Sequence, residues 1–153
     1  MLAEQGAVVG IYFGDHYKNL PQDLRQDSHN ESPTHYDPVL LQCEKELHDY
    51  FAGKLRQFTT PIHAKGTSFR EKVWEALLQI DYGETASYKD IAIKIGNPKS
   101  TRAVGGANHN NPISIIIPCH RVIGANGSLT GYGGGLDAKK WLLGLEQSTK
   151  FVS

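Results

Sequence analysis

The stretch Ile115-Ile116-Ile117-Pro118-Cys119-His120-Arg121 constrains this chain more than any other. Three consecutive isoleucines with no alternating polar residue predict a short strand buried on both faces. Pro118 has no ladder donor and ends that strand. A thiol and an imidazole follow at once, so a hydrophobic wall ends in Cys-His-Arg, as at the floor of a reactive pocket. The thiolate is the nucleophilic form of cysteine; a nearby histidine takes its proton, and Arg121 adds positive field that favours the anion. Adjacent side chains point apart, which routes the His120 proton through a water or a turn. Cys119 also reads as a small buried hydrophobe, because a Cys-His pair alone is an unspecific signature.

The rest of the chain narrows the setting. Its 153 residues suffice for one or two small units with a core, and 39% hydrophobic content with scattered charge is that of a soluble globular protein. No run reaches the ~18 apolar residues of a membrane span, and Met1–Gly6 lacks the basic start of a signal peptide. The two cysteines, Cys43 and Cys119, then read as free thiols in a reducing, cytoplasmic compartment. Net charge is zero, but it is uneven. Residues 1–65 carry six Lys/Arg against nine Asp/Glu (−3), and residues 66–153 carry ten against seven (+3). A polyanionic partner would therefore meet the second half.

An α/β (α+β) fold is expected. Residues 1–65 form a small sheet-plus-helix unit; residues 66–153 form a mainly helical unit with a helix-turn-helix and a short active-site strand. Ala7–Phe13 is rich in β-branched and aromatic residues and predicts a strand, followed by a polar loop over 15–37. Asp37 as N-cap and Pro38 at the first position open a helix whose apolar stripe is Leu40, Leu41, Leu47, Tyr50 and Phe51, with Gly53 as its stop. Cys43 lies near that stripe and reads as structural. Phe58–Ile62 predicts another strand. Ser68-Phe69-Arg70-Glu71 predicts a capping box, opening a helix that buries Phe69, Val73, Trp74, Leu77 and Leu78. The last helix, Ala138–Glu146, is expected to bury Trp141, Leu142 and Leu145.

Between them lie two short helices. Ser87 caps Tyr88–Ile95, Gly96-Asn97-Pro98-Lys99 breaks the pattern, and Ser100 caps Thr101–Asn108, which is a helix-turn-helix outline. Lys89, Lys94, Lys99 and Arg102 oppose only Asp90, a local +3 suited to phosphates. Such a pair also occurs as plain packing, and charge clusters are often solvated faces. The second helix carries Ala103, Gly105, Gly106 and Ala107, and its two glycines cost roughly 2 kcal/mol of helix propensity. That face suits close approach, either to DNA or to another part of the fold. Gly124–Ser128 predicts a tight turn, and Gly131-Tyr132-Gly133-Gly134-Gly135 a loop able to fold over the thiol. The seven histidines form no HxxxH pair and the chain has no CxxC, so no metal and no cofactor is expected.

Pro118-Cys119-His120-Arg121-Val122, preceded by Asn111-Pro112 and the Arg102-Ala103-Val104-Gly105 helix, closely resembles the O6-alkylguanine-DNA alkyltransferases, also called methylated-DNA–protein-cysteine methyltransferases. The likeness runs from about Thr67 to Glu146; upstream, Tyr50-Phe51-Ala52-Gly53 is also similar. It implies DNA repair by a single, irreversible transfer of the alkyl group of O6-alkylguanine, and of O4-alkylthymine, to Cys119. His120 would deprotonate the thiol through a water, Glu146 would orient the imidazole, and Asn111 would hold the turn behind them. Tyr88 would contact the base or its 3′ phosphate, Arg102 would enter the duplex as a finger, and Lys99 would meet phosphate. Ala103 and Gly105 would line the minor-groove face. The backbone of Cys119 and Val122 would read the guanine amine, and Tyr132 and Gly133 would belong to the loop over the base. The partner implied is double-stranded DNA, with no membrane and a monomeric protein. Gly133 stands where some relatives carry a serine, and a strand that commonly precedes the one at Ala7 is expected to be absent. Two rival readings stand: a non-catalytic binder of alkylated DNA, whose type lacks the cysteine, and a thiol hydrolase or peroxidase, which leaves the basic helices unexplained.

Overall fold

A computed structural model describes residues 1–13, 37–129, 132 and 134–150. Strands β1 (Leu2–Glu4) and β2 (Ala7–Gly10) pair antiparallel, so a strand does precede the one at Ala7. On its other side β2 makes a single parallel bridge, Val8 with Ile62, and just past it Ile11 makes another with Ile113. Phe58–Ile62 is thus no strand beyond that one bridge. The expected loop at 15–36 and Gly133 lie outside the described residues.

Helix α1 (Pro38–Phe51) starts as its sequence dictates: Asp37 Oδ1 accepts from Val39 N at 3.0 Å, with Pro38 in the first turn. It ends in a Schellman motif, Gly53 N donating to Tyr50 O and Lys54 N to Asp49 O, with Gly53 at φ +76°. Its buried stripe is Val39, Leu40, Cys43 and Tyr50; Leu41 and Phe51 are exposed instead. Helix α2 (Ser68–Leu77) is capped one residue earlier than its Ser-x-x-Glu pattern suggests. Thr67 Oγ1 accepts from Arg70 N at 3.2 Å. Val73, Trp74, Ala76 and Leu77 face inward, while Leu78 is exposed.

Strand β3 (Ala86–Ser87) leads into α3 (Tyr88–Lys94), where Ser87 and Asp90 form a capping box. Gly96, at φ +79°, and Asn97 close α3 with bonds to Ile93 O and Ala92 O, a second Schellman motif that turns the chain into α4 (Thr101–His109). Ser100 precedes α4 without capping it, because its hydroxyl donates to Asn97 O. Helices α2, α3 and α4 pack on one another through Trp74, Leu77, Ile91, Ala92, Val104 and Ala107, and Trp74 Nε1 donates to Ala107 O at 2.9 Å. Each large apolar side chain buried there contributes about 1.5–3 kcal/mol.

Ile115–Ile117 do not form a strand. Ile116 N donates to Ser114 O and Ile117 N to Ile113 O, so the run winds into a turn, with Ile115 at φ +73°. All three isoleucines are buried even so. A uniform apolar run announces burial, not extension, and the backbone groups here are satisfied locally. The active-site strand comes later: a 3₁₀ turn over Cys119–Arg121 runs into β4 (Val122–Ile123), which pairs parallel with β3. A tight turn at Gly124–Ser128 follows, and α5 (Leu136–Thr149) closes the fold. On α5, Leu142 is buried but Trp141 is 54% exposed, its ring tilted against Phe51.

Candidate active site

The site is assembled from four directions onto the 3₁₀ turn. Pro118 has no N–H, and the next donors fold back: Cys119 N to Ile117 O and Arg121 N to Pro118 O. That geometry buries Cys119, His120 and Arg121 together. From the end of α4, Asn111 Nδ2 donates to Ile117 O at 2.9 Å and to Cys119 Sγ at 3.1 Å, while its Oδ1 accepts from Ile113 N at 2.9 Å. One amide thus ties the helix exit, the isoleucine turn and the thiol. The turn is also fastened to the N-terminal hairpin, since Ile11 N donates to Pro112 O and Ser114 N to Ile11 O.

Behind the thiol, α5 presents Lys139, Leu142 and Glu146 on one buried face, at the i, i+3, i+7 spacing. Glu146 Oε2 lies 2.7 Å from His120 Nε2 and accepts from Tyr50 Oη at 2.6 Å and Arg121 Nη2 at 3.1 Å. Its Oε1 accepts from Arg121 Nε at 2.8 Å and Gly83 N at 3.3 Å. Burial raises its pKa, but the hydrogen bonds and charges of His120 and Arg121 outweigh it and hold the carboxyl down at about 2. The carboxylate is therefore ionised. Burial lowers His120, more than Glu146 raises it, so the imidazole is neutral near pH 7. A neutral ring that donates from Nε2 to a carboxylate keeps its lone pair on Nδ1. Nδ1 is buried and has no protein partner among the described residues.

Burial pushes the Cys119 thiol up to about 11, opposed by the Asn111 hydrogen bond and by the charge of Lys139. Arg121 is not the cation acting on the thiol. Its Nε and Nη2 are engaged by Glu146 and its Nη1 by Ile80 O at 2.6 Å. Lys139 takes that part. Fully buried, it donates to Val122 O at 2.6 Å and is pushed down to about 8, burial outweighing the pull of Cys119.

Tyr132 is buried against Phe13, 6.0 Å between ring centroids, and burial and then the charge of Cys119 raise its phenol well above the usual range. Gly134 packs beneath the same rings; a Cβ there would lie 2.5 Å from Phe13. On the outer face, Arg102, Ala103, Gly106 and Lys99 are exposed, and Tyr88 and Gly105 are half-buried. A Cβ on Gly106 would meet nothing and one on Gly105 only Tyr88 at 3.9 Å. Gly105 and Gly106 therefore serve no tight internal packing, whereas Ala107 is buried in the core beside Trp74. Val122 O accepts from Lys139, and Cys119 O accepts both from Asn108 Nδ2 at 3.4 Å and from the Val122 N–H, so protein donors already hold this stretch of backbone. The sequence pattern places Tyr50 on the apolar stripe of α1 but gives no site role to Tyr50, Lys139 or Asn108; only Lys139 carries a signal, its helical spacing from Glu146.

A family profile described as 6-O-methylguanine DNA methyltransferase, DNA binding domain, matches residues 68–148. The methylated-DNA–protein-cysteine methyltransferase of Methanosarcina acetivorans is 48% identical over 141 residues, covering 92% of this chain and 90% of that relative. The enzyme of the same name from Mycobacterium bovis is 51% identical over 128 residues, 82% of this chain and 78% of its own. Among solved structures, Mycobacterium tuberculosis OGT in complex with DNA superposes with a TM-score of 0.71 at 55% identity, covering 72% of this chain and 68% of that one. The O6-methylguanine-DNA methyltransferase of Pyrococcus kodakaraensis gives 0.58 at 33% identity, over 67% and 61%. With its buried Cys-His-Glu arrangement and helix-turn-helix, this chain belongs to the methylated-DNA–protein-cysteine methyltransferase family.

Proposed function

We propose that this chain repairs DNA by moving the alkyl group of O6-alkylguanine onto Cys119, once per molecule. The observation that carries this is Cys119 Sγ, held at 3.1 Å by Asn111 and backed by the His120–Glu146 pair. It sits beneath two helices whose outer face is small and basic. In the reaction His120 Nδ1 accepts the thiol proton through a water, and its Nε2–H stays on Glu146. The sulfur attacks the alkyl carbon as the C–O6 bond breaks, and the electron pair passes to guanine; the guanine anion then takes up at N1 the proton that His120 received, returned through water, and leaves in its keto form. Lys139 and Asn111 stabilise the thiolate while it exists. The thioether is a poor leaving group, so nothing regenerates the thiol.

A base within the stack is out of reach, and extruding it costs a few kcal/mol. Arg102 fills the gap it leaves and Lys99 meets phosphate, while Ala103 and Gly105 allow α4 into the minor groove. Tyr88 contacts the base or its 3′ phosphate, Tyr132 and Gly133 cover the base, and the Val122 backbone reads its amine. The protein acts as a monomer of two units, residues 1–65 and 66–153, and O4-alkylthymine is a second substrate. Among the described residues no helix is long and apolar enough to cross a membrane. The test is intact-protein mass spectrometry after incubation with duplex DNA carrying O6-methylguanine. One methyl, mapped to Cys119, is expected; repeated turnover, or a methyl elsewhere, would refute the assignment.

A further inference from the structure

Tyr50 is a fully buried phenol on α1, 96 residues from the carboxylate it touches and outside the residues 68–148 that carry the family match. Its ring is held by three aromatic neighbours, Phe51, Phe58 and Tyr82, at centroid separations of 5.6, 5.6 and 6.2 Å. The Schellman motif that ends α1 fixes the backbone at the same place, because Tyr50 O accepts from Gly53 N. The hydroxyl so placed lies 2.6 Å from Glu146 Oε2, the same oxygen that lies 2.7 Å from His120 Nε2.

The geometry points to Tyr50 as a positioning residue for alkyl transfer: its hydroxyl shares one carboxylate oxygen with His120 and thereby sets both the orientation and the strength of the catalytic base. Burial, followed by the charge of Glu146, raises the phenol far above its ordinary range, so it remains protonated and donates. A donated hydrogen bond draws charge from the carboxylate. With the donor present, Glu146 holds the imidazole in place without stabilising its protonated form as strongly as a bare carboxylate would. His120 consequently stays neutral and ready to accept a proton. The other groups facing this cluster are Tyr82 and the Gly83 N–H from the segment after α2, Arg121 and Cys119 from the 3₁₀ turn, Lys139 from α5, and Tyr132. Tyr50 is the neutral donor among them that α1 supplies. The role makes the N-terminal segment part of the reactive centre, not only its support.

The inference rests on Cys119 being the acceptor, and one experiment separates the two. The rate of alkylation by free O6-benzylguanine is followed by mass spectrometry from roughly pH 4.5 to 9 in the full chain, in Tyr50→Phe and in Tyr82→Phe. Tyr82 lies in the same aromatic cluster, but its hydroxyl pairs with Thr149. Tyr50→Phe is expected to move the acid limb of the profile upward by about half to one unit, because the more basic carboxylate raises His120. Tyr82→Phe is expected to leave the limb in place. Site-specific 3,5-difluorotyrosine at position 50 retains the ring and is a stronger donor, so it should move the limb downward; it decides the matter if Tyr50→Phe does not fold. A full chain that takes no alkyl group on Cys119 would overturn the proposed function itself. Normal alkylation of the full chain, with the limb unmoved in both position-50 variants or moved equally by Tyr82→Phe, would overturn the positioning role alone.

Discussion

Lys139→Met isolates the cost of keeping a cation beside the thiol. Lys139 is fully buried and its pKa is pushed from 10.5 down to about 8. That gap of about 2.5 units corresponds to roughly 3 kcal/mol of destabilisation carried at pH 7, at 1.36 kcal/mol per unit. The sign follows from the direction. The folded state binds this proton less tightly than the unfolded chain, so the penalty is complete below pH 8 and fades as pH rises towards 10.5. Between pH 7 and 9.5 the wild-type protein should recover about 2 kcal/mol from this group. Methionine has similar length and no charge, but it leaves Val122 O without its donor, a loss of about 1–3 kcal/mol. At pH 7 the two effects nearly cancel, so the midpoint itself is uninformative. The pH dependence decides. Urea melts at pH 7 and pH 9.5 should show wild type gaining about 2 kcal/mol on the variant's own change. The Cys119 thiol, raised to about 11, acts in the opposite direction above pH 9 but is present in both proteins. Alkyl transfer should slow in the variant, about tenfold for each unit by which the thiol rises. Parallel pH profiles of stability would refute the idea that Lys139 is held as a buried cation.

Cys119→Ser should bind alkylated duplex yet accept no alkyl group, because a hydroxyl is far harder to ionise, while Cys43→Ser should transfer normally; mass spectrometry reads both. Arg102→Ala should slow transfer on duplex DNA and spare free O6-benzylguanine, which needs no extrusion, and equal losses on both substrates would assign Arg102 to the fold. Lys99→Ala should weaken all DNA alike and lower the slope of affinity against salt by about one, as measured by titration at several salt concentrations.

The helices of this chain were legible because their ends are written locally. Asp37-Pro38, Ser87 and Gly96 each act within one turn of backbone, and the structure keeps all three, adding Asp90 as the partner of Ser87 in a capping box. Faces were read less well. Trp141 and Phe51 are exposed although each follows an apolar pattern, because they lie against one another at the edge of the core, where only the Phe51 ring reaches Tyr50. The isoleucine run misled for a related reason. Hydrophobicity reports where a segment lies, whereas the Asn111 side chain just upstream and the bridge from the distant Ile11 decide that it coils. At the site, the Cys-His pair was visible as neighbours in sequence. The buried cation was assigned to Arg121 because it stood next in line, although Glu146 claims Arg121 and Lys139 reaches the site from α5. Tyr50 could not have been found from local pattern, since its partner is 96 residues away.

Alkylation should itself destabilise the protein and loosen its hold on DNA. Cys119 is 3% exposed, and its sulfur accepts a hydrogen bond from Asn111 Nδ2 at 3.1 Å. A methyl group on that sulfur needs space in a pocket bounded by the buried turn and Tyr132, and overpacking of this kind costs about 1–3 kcal/mol. The methyl group also crowds the sulfur that Asn111 Nδ2 bonds, so the amide is pushed off one of the two bonds it donates. The turn behind it has little slack. Ile115 already sits at φ +73°, which a β-branched residue rarely adopts and which costs of order 1–3 kcal/mol. Displacing Asn111 therefore disturbs the segment directly after α4, the helix proposed to lie on DNA. Spent protein should melt several degrees lower than fresh protein and bind duplex DNA more weakly. Asn111→Ala should imitate part of this in the unalkylated state, because the same amide is removed. Thermal melts and duplex titrations on protein before and after complete methylation measure both effects. An unchanged midpoint together with unchanged DNA affinity would refute the coupling.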